Sequence, residues 1–365
     1  MTTPSDRADR SSPRPVTRRT ALASLGAVLA GSSAGCLGQS GPSSDRIRWR
    51  RQIRGTPRLD DGTLYVMGRL TLYALSPGDG STQWTTEYSE SDFDERLCLQ
   101  SDIALDERRI YVPGCDGLRA LGRSGGEQRW VVDSPLRQGV GVGDGRVYAN
   151  ADDLLAVESD TGEIAWRADT GGDRLTTPAA TADGVVFTNR VDGVVTAFDG
   201  DGERRWQHRT DTETRSPTVA GDTVYVATST EPGRSGRLLA LDRSDGTVRW
   251  GVETPSPKRG TRPVVGDDAV YLGCSGRDHG TLVALDRSDG GERWSFTDEN
   301  STVYEPAVTA DAVYAGSNDN HVYAFSRSGE PRWQLETNSV VGTVVAGADF
   351  LYAANNERLF AIERA

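Results

Sequence analysis

Eight tryptophans punctuate the chain. Trp49, Trp84, Trp130, Trp166, Trp206, Trp250, Trp294 and Trp333 follow one another at spacings of 35, 46, 36, 40, 44, 44 and 39 residues. Every tryptophan after the first ends the same word. A short apolar strand with an aromatic centre comes first, then a polar turn, a second strand ending near Ala-Leu-Asp, a glycine turn, and the tryptophan. In one copy Ala269-Val270-Tyr271-Leu272-Gly273 leads to Leu282-Val283-Ala284-Leu285-Asp286 and then Arg293-Trp294. Short alternating runs separated by Gly, Asp and Ser clusters are hairpin-connected strands. A period near forty residues with about four strands per unit is the signature of propeller blades.

The aromatic strand centres are Tyr65, Tyr111, Tyr148, Phe187, Tyr225, Tyr271, Tyr314 and Tyr352. The last unit, 350–363, stops before any tryptophan strand, while the chain after residue 45 opens on an orphan one, Arg46-Ile47-Arg48-Trp49-Arg50. The expected fold is therefore all-β: a single eight-bladed β-propeller of four-stranded antiparallel blades over 45–365. The N-terminal strand joins the last blade and closes the ring, which removes free sheet edges. Composition agrees. Apolar residues make up only 36% and glycine supplies 42 residues, which suits many tight turns rather than the long apolar stripes of a helical bundle.

At the glycine turn the repeat resembles the tryptophan-docking motif of pyrroloquinoline-quinone (PQQ)-type propellers, with Ala156…Thr161-Gly162…Trp166 the closest copy. Ala74…Gly80…Trp84, Ala120…Gly126…Trp130, Ala240…Gly246…Trp250 and Ala284…Gly290…Trp294 keep the register, and the units ending at Trp206 and Trp333 are one residue shorter. The resemblance implies that each tryptophan locks its blade to the next. It also leaves two function classes open. Non-enzymatic members of the PQQ-like family include a lipoprotein scaffold of the bacterial outer-membrane assembly machine. The quinoprotein dehydrogenases of the same fold hold PQQ and Ca²⁺ over the central channel, with an Asp as base and often a vicinal disulfide. This chain has no vicinal cysteines, and no residue matches the calcium or base roles, so the expectation is a scaffold with no cofactor, metal or catalytic residue of its own. PQQ with Ca²⁺ enters only under the dehydrogenase alternative.

The N-terminus reads as an address and an anchor. Arg18 and Arg19 precede a weakly apolar run, 21–30, and then Ser33-Ala34-Gly35-Cys36. A charged region, an apolar region and small residues before a cut describe a secretory signal, and the run is shorter than the ~20 residues that span a bilayer. Thr17-Arg18-Arg19-Thr20-Ala21-Leu22 resembles a twin-arginine (Tat) signal and Ser33–Cys36 a lipobox, with Ser at a position usually held by Leu. The expected layout is a signal over 1–35, a lipidated Cys36 with a flexible Gly/Ser/Pro tether to residue 44, and the propeller. The protein would then sit on the outer face of the cytoplasmic membrane. Of the remaining cysteines, Cys98 and Cys115 fall in one blade and can pair or stay free, and Cys274 is left over.

Charge excludes some partners. The formal net charge is −12, and of 41 basic residues only Lys258 is a lysine. Removal of 1–35 takes away five arginines and two acids and lowers the net charge to −15. So large an acidic excess with so little lysine reads as an extreme-halophile origin, an ordinary acidic chain being the alternative. It argues against a nucleic-acid partner. His208, His279 and His321 have no metal-ligand spacing, and the Asp/Asn turn 317–320 is explained by turn formation. The loops entering the innermost strands carry Arg174, Arg215, Arg259 and Arg262. These arginines either form a basic channel mouth for an anionic or carboxylate-bearing ligand or protein partner, or are satisfied by neighbouring acids. The protein is expected to be a monomer.

Overall fold

A computed structural model describes residues 43–88, 102–114, 116–136, 139–170, 175–181, 184–189, 192–210, 212–229, 236–254, 259–275, 279–299 and 301–364. Strands within each unit pair antiparallel in chain order, so each unit is a meander. Sheets 1 to 7 span 56–87, 104–132, 140–168, 179–209, 218–253, 259–299 and 307–336. Sheet 8 has the order Ile47–Arg51, Leu359–Glu363, Phe350–Asn355, Val341–Ala346, so the first strand of the chain is the outermost strand of its last sheet.

The expected fold class needs correction. The chain forms seven four-stranded antiparallel blades, not eight; the remaining sheet, 259–299, has five strands. Its innermost strand is broken into Arg259–Gly260 and Val264–Val265, both paired with Ala269–Ser275. Pro263 is the cause, because it has no N–H for the ladder and restrains the residue before it. Thr261 bridges the gap: its N–H donates to Gly273 O at 2.8 Å, and its hydroxyl accepts from Gly273 N–H at 3.2 Å.

The core is distributed rather than central. Eight apolar clusters lie between neighbouring sheets, one for each adjacent pair including sheets 8 and 1, where Ile53, Leu64, Tyr352 and Ala361 meet. Eight interfaces for eight sheets leave no end, and the ring is closed.

The tryptophans make the same contact at each interface. Each indole N–H donates to a backbone carbonyl on the next sheet: Trp49 to Pro77, Trp84 to Arg123, Trp130 to Ser159, Trp166 to Gly200, Trp206 to Arg243, Trp250 to Arg287, Trp294 to Arg327 and Trp333 to Arg364, at 2.7–3.2 Å. Seven of the rings lie against a glycine of positive φ. At Gly162, φ is 78° and a Cβ would stand 2.8 Å from the Trp130 ring. Trp333 has no such glycine among the described residues, and its indole N–H meets the carbonyl of Arg364 instead. There the Arg46 guanidinium lies over the indole, 5.3 Å from its centroid, a cation–π contact in place of the turn.

Within a sheet, tyrosine and tryptophan flank one alanine, as in Tyr65↔Ala74↔Trp84. The small alanine lets the rings meet at 5.8–6.0 Å in seven sheets. Sheet 4 departs from the expected pattern. Val186, not Phe187, holds the register opposite Ala197 and Trp206, and Phe187 pairs with Thr196. Four sheets add a second latch that the repeat pattern did not announce. Arg123, Arg287, Arg327 and Arg364 reach back to Tyr65, Tyr225, Tyr271 and Tyr314 of the preceding sheet. Arg123 also pairs with Asp60, Arg327 with Asp268 and Arg364 with Asp311, at 2.6–2.7 Å.

Gly145 has a similar φ of 69° but nothing within 4 Å of its Cβ position, so it separates backbone strain from socket filling. Gly145→Ala is expected to cost about 1–2 kcal/mol for the left-handed conformation. Gly162→Ala adds about 1–3 kcal/mol of overpacking, and Trp166→Ala costs about 3–5 kcal/mol. Denaturant unfolding of the three variants checks this, and a Gly162→Ala no worse than Gly145→Ala would contradict the socket.

Candidate functional site

The innermost strands surround a cavity of about 720 Å³, a size that suits a small molecule or a few residues of a peptide. Its wall is built from strand starts and the loops that lead into them: 56–58, 102–103, 215–216, 260–262, 302–308 and 342–346. Five charged side chains line it, Arg58, Asp102, Arg215, Arg262 and Glu305. The local cause is a repeated residue–proline pair. Thr56-Pro57, Ser216-Pro217, Arg262-Pro263 and Glu305-Pro306 each begin an inner strand, and the residue before a proline is held extended.

Arg262 and Glu305 occupy the same place in neighbouring sheets and pair, Nη2 to Oε1, at 2.8 Å. Burial opposes the charge on Arg262, but the Glu305 carboxylate, helped by Asp102, holds the guanidinium above its usual value. Arg215 is fixed through its backbone, its N–H donating to Ala227 O at 2.8 Å. Arg58 is half-buried and has no hydrogen bond or ion pair among the described residues. The wall therefore offers a guanidinium fork with no acceptor among the described residues, together with Arg215 and the engaged Arg262. That arrangement attracts carboxylate or another planar anion.

Only part of the expected arginine mouth is assembled. Arg215 and Arg262 line the cavity, and Arg262 already has its acid. Arg259 lies on the two-residue strand paired with Ser275, and its side chain lies outside what the structure describes. Arg174 lies outside the described residues, as do Arg18, Arg19, Cys36, Cys98, Cys115 and Lys258. Arg58 was missed, although the signal was present: Thr56-Pro57 repeats the residue–proline pair of the other inner strands.

Other polar groups are engaged structurally. The loop 302–306 is stapled by the turn 317–320, with Thr302 N–H donating to Asn318 Oδ1 and Tyr304 N–H to Gly316 O at 3.0 Å. Asp319 accepts from His321 N–H at 2.9 Å and from the Tyr323 hydroxyl. Burial lowers the pKa of His208, partly offset by its hydrogen bond to the Gly246 backbone. Among the described residues no group of three His, Cys, Asp or Glu side chains is placed to hold a metal ion.

Cys274 is fully buried, and burial pushes its thiol up to about 12. Thiolate is the reactive form, so Cys274 is expected to resist alkylation at pH 8 in the native protein and to react once it is unfolded. Peptide mapping after iodoacetamide treatment reads this out, and native-state labelling at Cys274 would contradict the packing of sheet 6.

A family model described as Outer membrane protein assembly factor BamB matches the chain over residues 7–130, 114–273 and 258–365. A protein of that name from Alkalilimnicola ehrlichii is 28% identical over 180 residues, 47% of this chain and 46% of the relative. The chain spans about half the length of the curated relatives it matches. Among solved structures, BamB from Moraxella catarrhalis superposes with a TM-score of 0.68 at 19% identity, covering 87% of this chain and 99% of that one. Quinohemoprotein alcohol dehydrogenase from Comamonas testosteroni gives 0.66 at 14% identity, covering 87% and 76%. At these identities the two structures share the fold alone.

Proposed function

The chain belongs to the Outer membrane protein assembly factor BamB family, and from this premise we propose that it is an extracytoplasmic binding or assembly scaffold. It is held at a membrane by a lipid on Cys36, exported through the Arg18-Arg19 signal, and does no chemistry of its own. The relatives' name, an assembly factor, supports a protein partner. The observation that carries the reading is the cavity with the unpartnered Arg58 fork on a ring fixed at every interface. A rigid frame that presents loops is the usual placement for recognition. The partner is read as a protein with an acidic or carboxylate-bearing segment that seats against Arg58, Arg215 and Arg262.

The dehydrogenase reading finds no support in the side chains. A quinone held by calcium needs several oxygen ligands. Of the two carboxylates on the cavity wall, Glu305 is engaged by Arg262, and the described residues offer no third acid beside them. The residues do not fit that group, and no step is assigned to it.

Membrane fractionation and affinity capture test the reading together. Wild-type protein is expected in the membrane fraction, Cys36→Ser in the medium, folded. Protein captured from solubilised membranes by the wild type should fall at least tenfold with Arg58→Ala, whose melting temperature should be unchanged. Membrane retention of Cys36→Ser through a high-salt wash would overturn the anchor, and the same captured proteins with Arg58→Ala would overturn the site.

A further inference from the structure

The most basic stretch of this acidic chain lies where the tether meets the ring. Residues 46–59 contain six arginines, at 46, 48, 50, 51, 54 and 58, and no acid. The fold engages three of them. Arg46 covers Trp333, Arg51 donates to Gly80 O at 2.8 Å and Thr82 Oγ1 at 3.0 Å, and Arg58 lines the cavity. Arg48, Arg50 and Arg54 are exposed and have no hydrogen bond or ion pair among the described residues. This is unlike sheets 5, 6 and 7, where the arginine preceding the tryptophan has an acid. Arg249 bonds Asp222 and Asp242, Arg293 bonds Asp268 and Asp286, and Arg332 bonds Asp311.

Position supplies the partner. Arg48 and Arg50 are both exposed on the outermost strand of sheet 8, Ile47–Arg51, and Arg54 is exposed just after it. Only six residues, 37–42, separate Cys36 from the first described residue, Ser43. Seven extended steps reach at most about 25 Å, so a lipid on Cys36 holds this rim, of all parts of the ring, against the headgroups. We propose that Arg48, Arg50 and Arg54 form a docking surface for the phosphates of anionic membrane lipids, orienting the tethered ring with sheet 8 toward the bilayer. The proposal rests on the anchor reading for its geometry, but the arginine surface is testable without the lipid. Guanidinium–phosphate contact is bidentate.

A basic residue near an anionic surface is worth about fivefold in binding, so three give on the order of a hundredfold. The test uses the unlipidated Cys36→Ser protein, sedimented with phosphatidylcholine vesicles with or without one third phosphatidylglycerol. Strong preference for the anionic vesicles is expected, lost in Arg48→Gln/Arg50→Gln/Arg54→Gln. It should be retained in Arg167→Gln/Arg204→Gln/Arg209→Gln, which removes equal charge from exposed arginines elsewhere on the ring. Thermal melts confirm that both triples fold. Equal binding to both vesicle types, equal loss in the control triple, or displacement by millimolar inorganic phosphate would overturn the membrane surface. Failure of the quadruple variant Cys36→Ser/Arg48→Gln/Arg50→Gln/Arg54→Gln to leave the membrane in cells would instead count against the anchor.

Discussion

The fold depends on an indole that is buried and still needs a hydrogen-bond acceptor. A tryptophan on an outer strand can hide its large apolar face only against another sheet, and its N–H must meet a carbonyl there. The glycine turn of the next sheet meets both demands, because its carbonyl is outside any ladder and its missing side chain admits the ring. Each sheet is thus completed by its successor, and no single sheet could bury both faces alone. The relation repeats without an end only if the last sheet meets the first. Ile47–Arg51 supplies Trp49 to that final interface while completing sheet 8.

The interface between sheets 7 and 8 differs from the others. At Trp333 the acceptor is the carbonyl of Arg364, just beyond the strand Leu359–Glu363. Arg46 covers the exposed face of the ring, so the first and last described turns of the chain meet over one side chain. The Arg–Tyr latches of sheets 2, 6, 7 and 8 reinforce the same interfaces through partly buried guanidiniums. Cation–π contacts and charge-assisted bonds are worth more there than on an open surface.

Much of this was legible in the residues, because tryptophan spacing, glycine turns and the orphan first strand are local and periodic. What was not legible depended on register or on distant partners. The break at Pro263 was visible as a proline, but that it yields two short strands on one neighbour required knowing the length of Ala269–Ser275. Val186 and Phe187 are adjacent and both apolar, and only the cross-strand register decides which one pairs with Ala197. At the cavity, Arg215 and Arg262 were found from their loops, while Arg58 was passed over because it follows its proline rather than preceding it. The engagement of Arg262 by Glu305 joins residues 43 positions apart, and only the closed ring brings those two residue–proline pairs together.

The central claim is that every tryptophan is docked in the next sheet, including the one at the seam. Hydrogen exchange of the indole N–H groups, followed by NMR on protein with ¹⁵N-labelled tryptophan, measures this directly, since each indole gives one resonance. All eight should be protected from exchange like the core strand amides, Trp333 and Trp49 with the rest. Exchange of any indole at the rate of a free side chain in the native protein would show an undocked sheet, and at Trp49 or Trp333 it would show that the ring is open.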